Sequence, residues 1–129
     1  MSNEYPNDLR YTKEHEWARV EGNVVTVGIT RFAVDQLGDI TQVELPREGE
    51  SVEKGAVFGT VESVKAVSDL FAPCSGKVVK VNTPLGDSPE YVNEDCYDEG
   101  WLLQIEIGPK GLADLEELMS AKDYDDYLR

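Results

Sequence analysis

Residues 59–82 read GTVESVKAVSDLFAPCSGKVVKVN, and the rest of the chain is organised around them. In residues 57–64, before Lys65, β-branched side chains alternate with others in a pattern typical of a half-buried strand. Residues 68–81, after Lys65, are also β-rich, but Pro73 and a Ser-Gly pair interrupt them. We therefore expect this second arm to bend and to be shared between two sheets. The stretch predicts two β arms joined at Lys65.

The turn between the two arms places Lys65 at a hairpin tip, exposed to solvent. Its four residues include neither Gly nor Asn, so a type I turn is expected rather than the mirror-image turns, which need positive φ. Val64 and Ala66 flank the lysine, and Glu62 and Asp69 lie nearby in sequence. A lysine in a turn is usually only a solvated charge. Apolar neighbours are unusual at such a tip, so the pattern also suits an amine presented to an enzyme that acylates one lysine and marked by flanking acids.

The remaining pattern favours a mainly β chain with few helices. The expected elements are short strands at 10–12 and 51–53, a hairpin at 14–29 with its turn at 21–23, strands at 40–45 and 101–107, and a loop at 82–89 followed by one helical turn at 90–92. Thr30 and Gly38 can cap a short helix between them, whose shared face would be Phe32, Ala33, Gln36 and Leu37.

The two ends of the chain differ in character. Residues 1–9 are polar and predict a loose lead-in, whereas residues 111–129 predict a helical tail. Its first helix would use Leu112, Leu115, Leu118 and Met119 as an apolar face. Ser120 and Asp123 suggest a fresh cap, and Tyr124, Tyr127 and Leu128 form a second short apolar face.

Composition bounds the function. The chain has 129 residues, 40% of them apolar, and a formal net charge of −14, so we expect one domain spanning residues 1–129, and a monomer. Such acidity disfavours nucleic acid, which is bound largely through Lys and Arg. The sequence shows no membrane span and no signal or transit peptide, so we expect a bacterial-type cytoplasmic protein.

Metal binding and catalysis by the chain itself are both disfavoured. Cys74, Cys96 and a single histidine, His15, show no metal-ligand spacing, and two cysteines are too few for a disulfide framework. An enzyme would recruit Cys74 or a serine with His15 as base, but no nucleophile elbow is present. We expect two reduced, apolar cysteines, although a disulfide between them stays open.

Residues 14–17, Glu-His-Glu-Trp, form a dense polar and aromatic cluster with two interpretations. In the structural one, the charges lie at a strand edge and Trp17 plugs the core. In the functional one, His15 and Glu16 bind a cationic amine held near Trp17. The residues suit either role.

Segments along nearly the whole chain resemble the H protein of the glycine cleavage system. They are HEW (15–17), VGIT (27–30), LGD (37–39), ELP (44–46), VESVKAVSD (61–69), AP.SG (72–76), VN (81–82) and GW (100–101). The resemblance implies a lipoyl carrier with a hybrid barrel-sandwich fold: two antiparallel sheets, a short internal helix and C-terminal helices. Lys65 matches the lysine that carries covalent lipoate, within a signature that includes Glu62, Ser63, Val64 and Ala66.

The resemblance also implies a cycle in which the carrier catalyses no step. Lipoate is attached by a lipoate ligase or lipoyl transferase. Glycine decarboxylase, a pyridoxal-phosphate enzyme, loads an aminomethyl group; aminomethyltransferase passes the carbon to tetrahydrofolate; and dihydrolipoyl dehydrogenase reoxidises the dithiol. The loaded arm docks in a cleft that shields it from hydrolysis, and Glu16 and Asp69 match acidic positions near it, with Glu16 a better candidate than His15.

Departures from the family pattern leave alternatives open. Arg31-Phe32 stands where an acidic residue and His are frequent, Cys74 where an aliphatic residue is usual, and Cys96 where proline is usual. A relay that donates lipoate to other carriers and an unmodified binding domain are the alternatives. Biotin carriage is disfavoured because Val64 and Ala66 are not the methionines that flank a biotinylated lysine.

Overall fold

The computed structural model describes residues 5–128, which form nine strands, four α-helices and one 3₁₀-helix within that range. The strands are β1 (Arg10–Tyr11), β2 (Glu16–Glu21), β3 (Val24–Ile29), β4 (Ile40–Glu44), β5 (Ser51–Val52), β6 (Val57–Ser63), β7 (Val67–Phe71), β8 (Gly76–Val81) and β9 (Leu103–Glu106). The helices are α1 (Arg31–Leu37), α2 (Glu90–Glu94), α3 (Pro109–Leu115) and α4 (Ala121–Leu128), and the 3₁₀-helix is Thr83–Gly86.

The strands form two antiparallel sheets. One has six strands in the order β1-β2-β3-β9-β8-β5, and the other has three in the order β4-β6-β7. The chain leaves the smaller sheet after Phe71 and enters the larger one at Gly76, which confirms that the second arm bends and is shared between sheets. The expected mainly β fold with two antiparallel sheets, a short internal helix and C-terminal helices is therefore confirmed, and the described strands do not close into a barrel.

The main core contains apolar side chains from both sheets. Val25, Val27, Leu103 and Ile105 of β3 and β9 are fully buried, and Val61 of the smaller sheet belongs to the same cluster. In β9 the alternation expected from sequence is confirmed, since Leu103 and Ile105 are buried while Glu106 is exposed. Period-2 patterning thus directs one face of each sheet inwards.

Helix α1 begins and ends where the sequence predicts. Thr30 Oγ1 accepts a hydrogen bond from Ala33 N–H at 3.3 Å, and Gly38 adopts φ +78°. The expected face is wrong in part: Val34 is the buried residue of the helix, whereas Gln36 is exposed. Seven residues span only two turns, so spacing alone does not fix which stripe the sheets cover.

The C-terminal tail departs further from expectation. Helix α3 ends at Leu115, and Leu112 is exposed, so the single amphipathic helix that was to include Leu118 and Met119 is wrong. Met119 is instead extended, because its N–H and C=O pair with the backbone of Tyr11 at 2.8 Å in both directions.

The second C-terminal helix agrees better with the sequence. Asp123 N–H donates to Ser120 Oγ at 3.1 Å, which confirms the cap ahead of α4. Tyr124 is fully buried, Leu128 packs at the edge of the same cluster, and Tyr127 stays half exposed. Tyr124 and Ala121 therefore hold this helix on the β body.

A second, smaller core lies beneath α4 and ties down the start of the described chain. It contains Leu9, Tyr11, Trp17 and Tyr124, all buried, and the ring of Tyr5 contacts those of Tyr11 and Tyr124. The expected loose lead-in at 1–9 falls partly outside the described residues; within it, Tyr5 and Leu9 contact this core, whereas Asn7 and Asp8 are exposed.

Two other expectations need correction or extension. The segment 82–89 was expected to be a loop, but it contains the 3₁₀-helix Thr83–Gly86, whose Leu85 is buried. The single turn expected at 90–92 is helix α2, which extends to Glu94. Both helical segments lie in the connection between β8 and β9, so they leave the order of strands in the two sheets unchanged.

Trp17 is fully buried, and its surroundings leave no space to spare. Its Nε1–H donates to Cys96 C=O at 2.9 Å. A Cβ built on Gly28, the residue opposite it across β2 and β3, would lie 2.4 Å from the indole ring. The structural interpretation of Trp17 as a core plug is confirmed, and its buried ring presents no open face to a ligand.

Candidate functional site

The hairpin tip holds Lys65 in a turn built from ordinary backbone conformations. Ser63 N–H donates to Ala66 C=O at 2.8 Å, and Val64 N–H donates to Asp39 C=O at 3.1 Å. Among the described residues other than Gly, only His15 has a positive φ. The mirror-image turns are therefore excluded, as expected from the absence of Gly and Asn.

The hydroxyl of Ser63 organises this turn. Its Oγ accepts hydrogen bonds from the backbone N–H groups of Lys65 and Ala66, each at 3.1 Å, and lies 3.3 Å from Ala66 C=O. A side-chain oxygen that binds successive backbone donors replaces the turn's own carbonyl and restricts its motion. Ser63 thus fixes the backbone on both sides of the lysine carbonyl.

Lys65 is exposed, and its side chain lies over the end of α1. Its Nζ is 3.5 Å from Gln36 C=O, and its Cε would be 3.5 Å from a Cβ placed on Gly38. The last carbonyls of a helix attract a cation, so this contact accounts for the direction of the side chain. The amine remains open to an approaching enzyme.

An apolar and acidic surface surrounds the lysine. Val64 is 69% exposed and Val67 is 63% exposed, so large aliphatic side chains flank the tip. Glu62 lies opposite Val67, and Asp69 opposite Thr60, in the register of β6 and β7. Directly opposed residues share a face of a sheet, so both acids lie on the same face of the smaller sheet.

Strand β7 connects this surface to a more distant acid. In the part of the chain that the structure describes, β7 is an edge strand. Because Ser63 and Ala66 face each other, the N–H and C=O groups of Val67 and Asp69 point away from β6. The next such donor, Phe71 N–H, binds Glu16 Oε2 at 3.1 Å. Phe71 is six residues from Lys65, which is roughly 20 Å along a strand.

Glu16 is an acid in an unusual setting. Its side chain is 1% exposed, and its Oε1 accepts a hydrogen bond from Thr12 Oγ1–H at 2.6 Å. Burial raises the pKa of its carboxyl to about 7, and the hydrogen bonds from Thr12 and Phe71 oppose that rise. The carboxylate therefore changes charge near neutral pH, where an exposed glutamate would be fully ionised.

A cleft of about 310 Å³ opens beside this carboxylate. Lys54 and Glu117, which belong to its lining, form an ion pair with each other. The lining consists of Tyr11, Thr12, Lys13, Glu14, Glu16, Lys54, Gly55, Phe71, Ala72, Pro73, Glu117, Leu118 and Met119. The cleft thus combines apolar walls with one buried acid, which suits an aliphatic chain that ends in a cation.

His15 does not line this cleft. Its Nδ1 is 2.8 Å from Tyr124 Oη, its ring lies 4.7 Å from that of Phe32, and burial lowers its pKa. Tyr124 Oη is also 2.8 Å from Thr30 Oγ1. These contacts join α4 to the start of α1, so the structure separates His15 from Glu16 although they are adjacent in sequence.

Arg31, singled out as a departure, connects α1 to the segment before β9. Its N–H donates to Tyr97 Oη at 2.9 Å, and its Nη1 donates to Asn93 C=O at 3.0 Å. Phe32 packs on His15. Both residues therefore make internal contacts that stabilise the helix.

The two cysteines are free and buried. Burial raises the pKa of Cys74 to about 12 and that of Cys96 to about 11. A nucleophilic cysteine needs a lowered pKa and some exposure, so neither thiol is activated.

Metal clusters and membrane-spanning helices are both absent from the described part of the chain. No group of three or more His, Cys, Asp or Glu side chains is placed to hold a metal ion within residues 5–128. Over the same range, no helix is long and apolar enough to cross a membrane.

Sequence reasoning missed Thr12. It lies four residues before Glu16, and a Ser or Thr that precedes free backbone donors by two to four residues is a common local motif. That spacing was visible in the sequence. Its connection to a cleft was not, because the cleft depends on Phe71, 55 positions away from Glu16.

Comparison with known proteins gives a consistent picture. The sequence profile of the family described as Glycine cleavage H-protein matches residues 9–129. The glycine cleavage system H protein of Anaeromyxobacter sp. (strain K) is 60% identical over 121 residues, covering 94% of this chain and 93% of that protein. That of Symbiobacterium thermophilum is 55% identical over 124 residues, covering 96% of this chain and 95% of that protein.

A solved structure agrees with these sequences. The crystal structure of a glycine cleavage system H protein from Mycobacterium marinum superposes with a TM-score of 0.86 at 42% identity, covering 95% of this chain and 98% of that one. Both the sequence and the fold match over almost the full length of the relatives. The chain therefore belongs to the glycine cleavage H-protein family.

Proposed function

We propose that this chain is the lipoyl-bearing shuttle of the glycine cleavage system, with lipoate attached covalently to Lys65. The observation that carries the proposal is the rigid, exposed presentation of that amine at the hairpin tip in a chain of this family. The residues fit the group, because an amide at Nζ replaces only a long contact with Gln36. When bound, lipoate would supply a disulfide that takes up an aminomethyl group and two electrons.

The protein's own residues would hold and protect the load. Asp69 lies on the same sheet face as Glu62, between Lys65 and Phe71, and Glu16 lies at the far end beside the cleft. We place the aminomethyl ammonium at Glu16, where a charge-assisted hydrogen bond would form in a site largely shielded from water. Asp69, which is exposed, would guide the arm towards it.

The chain would act as a carrier subunit and not as an enzyme. Its partners would be the pyridoxal-phosphate-dependent glycine decarboxylase, the tetrahydrofolate-dependent aminomethyltransferase, dihydrolipoyl dehydrogenase, and the ligase or transferase that attaches lipoate. Val64 and Val67, exposed beside Lys65, form an apolar contact surface that each partner could bind. The net charge of −14 would steer the carrier towards basic entrances on those enzymes.

Intact mass and reconstitution test this proposal together. After incubation with lipoate, ATP and a lipoate ligase, we expect one lipoyl adduct, mapped to Lys65 by peptide mass spectrometry. The modified chain should support glycine decarboxylation when mixed with glycine decarboxylase, aminomethyltransferase and dihydrolipoyl dehydrogenase. Modification without decarboxylation, together with transfer of lipoate to another carrier, would favour the relay. A bare lysine beside active ligase would favour an unmodified binding domain.

Replacing Ser63 with alanine should slow lipoylation. Loss of the hydroxyl leaves the N–H groups of Lys65 and Ala66 without their acceptor, so the turn becomes mobile and the ligase must order it. We expect kcat/KM for lipoylation to fall about tenfold, equivalent to one lost hydrogen bond of about 1.4 kcal/mol. Initial rates of mass change give the result.

Ser68→Ala is the matched control, because Ser68 lies on the same hairpin and its Oγ lies 3.4 Å from a single backbone carbonyl. It should keep the wild-type rate. Equal rates for Ser63→Ala and Ser68→Ala would show that the Ser63 hydroxyl does not position the lysine.

Replacing Glu16 with alanine should shorten the lifetime of the loaded carrier. Without the carboxylate the ammonium loses its acceptor and the arm spends more time in water, so we expect release of formaldehyde and ammonia to accelerate about tenfold or more. Lipoylation should keep its wild-type rate, because Glu16 is distant from the tip. Formaldehyde release from purified loaded carrier measures the change.

Glu44→Ala, which removes an exposed acid on β4, is the control for the loss of one negative charge. A wild-type release rate in Glu16→Ala would remove this residue from the docking site. A slower lipoylation rate in the same variant would indicate a general effect on the fold.

A further inference from the structure

Thr12 is the centre of a hydrogen-bonded loop in front of Glu16. Its Oγ1 accepts the N–H groups of Glu14 at 3.2 Å and Glu16 at 3.1 Å, while its O–H donates to Glu16 Oε1 at 2.6 Å. Its backbone N–H and C=O bind Glu16 C=O and His15 N–H. One threonine thus fixes both the main chain and the side chain of Glu16.

This loop contains an uncommon conformation. His15 has φ +73°, which is costly for a residue with a side chain. The bonds to Thr12 lie on both sides of His15 and hold it in that conformation. The chain reverses its direction at His15, and this reversal directs the Glu16 side chain inwards against β7.

The two hydrogen bonds to the Glu16 carboxylate are made to different oxygens. Thr12 donates to Oε1, and Phe71 N–H donates to Oε2. An ionised carboxylate has about four acceptor positions, so each oxygen retains the capacity for a further donor. Since Glu16 contributes to the cleft wall, a cation entering the cleft can use that capacity.

We propose that Thr12 is a positioning residue that keeps the Glu16 carboxylate oriented and ionised for the cationic end of the loaded arm. This inference rests on the docking role proposed above for Glu16. Thr12 also lines the cleft, but its O–H is committed to Glu16 Oε1, so it would act on the bound cation through Glu16 and not on the reacting atoms. Phe71 donates through its backbone N–H, which a side-chain substitution does not remove. Thr12 donates through its hydroxyl, so it is the donor to Glu16 that mutagenesis can remove.

The charge of Glu16 depends on several neighbours. Burial has the largest effect on its pKa, the Thr12 hydrogen bond lowers it, and Glu14 raises it. The remaining titratable groups that line the cleft or face the carboxylate are Tyr11, Lys13, Lys54, Glu117 and Tyr124. Lys54 is paired with Glu117. Two neutral donors favour the ionised form of Glu16, the backbone N–H of Phe71 and the hydroxyl of Thr12, and only the second belongs to a side chain.

The direction of the effect follows from that bond. Removing a donor to the ionised form raises the pKa of Glu16 above its value of about 7. Glu16 can bind an ammonium only when ionised, so protection of the load is lost as the pH falls through this pKa. A variant without the hydroxyl should lose protection at a higher pH than the wild type.

Thr12→Val tests the proposal, since it keeps the shape and removes the hydroxyl. The first measurement is a ¹³C NMR titration of the Glu16 carboxyl carbon in the unmodified chain, which needs neither lipoate nor partners. We expect the pKa to rise by about one pH unit. The second is the pH profile of formaldehyde release from loaded carrier, which should shift by the same amount and be about fivefold faster than wild type at pH 7.

Thr12→Ser is the matched rescue, because serine restores the donor and should return both curves to wild type. If Thr12→Val does not fold, as judged from its amide spectrum, Thr12→Ala is titrated in its place and interpreted in the same way. A carboxyl pKa in the folded variant that stays within about 0.3 pH units of the wild-type value would overturn the proposal.

The two proposals fail in different ways. Wild-type lipoylation with an unchanged Glu16 titration would overturn the role of Thr12 and leave the shuttle function standing. A bare Lys65 with the expected titration shift would overturn the shuttle and leave Thr12 as the residue that sets the charge of Glu16. Failure of Thr12→Ser to restore either curve would also contradict the proposal.

Discussion

Replacing Lys65 with arginine should abolish the carrier function completely. Arginine keeps the positive charge at the end of α1, but its guanidinium stays protonated and cannot form the lipoyl amide. We expect the lipoyl adduct to disappear from the intact mass and glycine decarboxylation in the reconstituted system to fall to the level without carrier. The fold should be unaffected, since Lys65 is exposed and makes one long contact with Gln36.

Lys80→Arg is the control for this experiment. Lys80 is an exposed lysine of β8 in the other sheet, and its replacement should leave both the adduct and the activity unchanged. A lipoyl adduct that persists in Lys65→Arg would place the attachment site elsewhere and would contradict the proposal. The same would follow from full decarboxylation activity of a chain shown by mass to be unmodified.

Replacing Gly28 with alanine should strongly destabilise the protein, although it adds only one methyl group. A Cβ at this position would lie 2.4 Å from the Trp17 ring, and the ring is fully buried with its Nε1 bonded to Cys96 C=O. Overpacking of a core typically costs about 1–3 kcal/mol, and this clash is severe, so we expect a loss of about 3 kcal/mol in the free energy of unfolding. Tm should fall by roughly 10 °C for a chain of this size.

Denaturant unfolding and thermal scans at pH 7 measure this effect. Gly86→Ala is the matched control, because a Cβ there meets nothing within 4 Å, and it should change the free energy of unfolding by less than about 0.5 kcal/mol. Equal midpoints for the two variants would mean that Trp17 can move aside. In that case the second core would be looser than its contacts indicate.

The sheets were predictable because their signals are local. Alternation in residues 101–107 and the turn around Gly22, which has φ +63°, are properties of a few consecutive residues. The C-terminal tail was not predictable in the same way. Leu118 and Met119 have helical spacing, but the backbone of Tyr11 pairs with Met119, and that partner lies near the opposite end of the chain.

The candidate site likewise has one part that local sequence signals predict and one part that depends on tertiary packing. The tip at Lys65 could be located from its own neighbours, since the turn, the apolar flanks and the acids are contiguous. The sequence named Glu16 together with His15, and only the family resemblance favoured Glu16, because its burial and its raised pKa arise from the packing around it, including its contacts with Thr12 and Phe71. Spacing in a sequence carries no information about which of two adjacent residues, His15 or Glu16, faces a cleft.

The edge position of β7 also bears on how the protein avoids aggregation. An open strand edge beside exposed valines is a place where a second molecule could add a strand. Glu16 accepts the hydrogen bond from Phe71 N–H, so this edge donor is already used, and Asp69 places a charge on the exposed face of the same strand. The acids proposed to receive the load would then also act as gatekeepers against self-association, so losing them would cost solubility as well as protection.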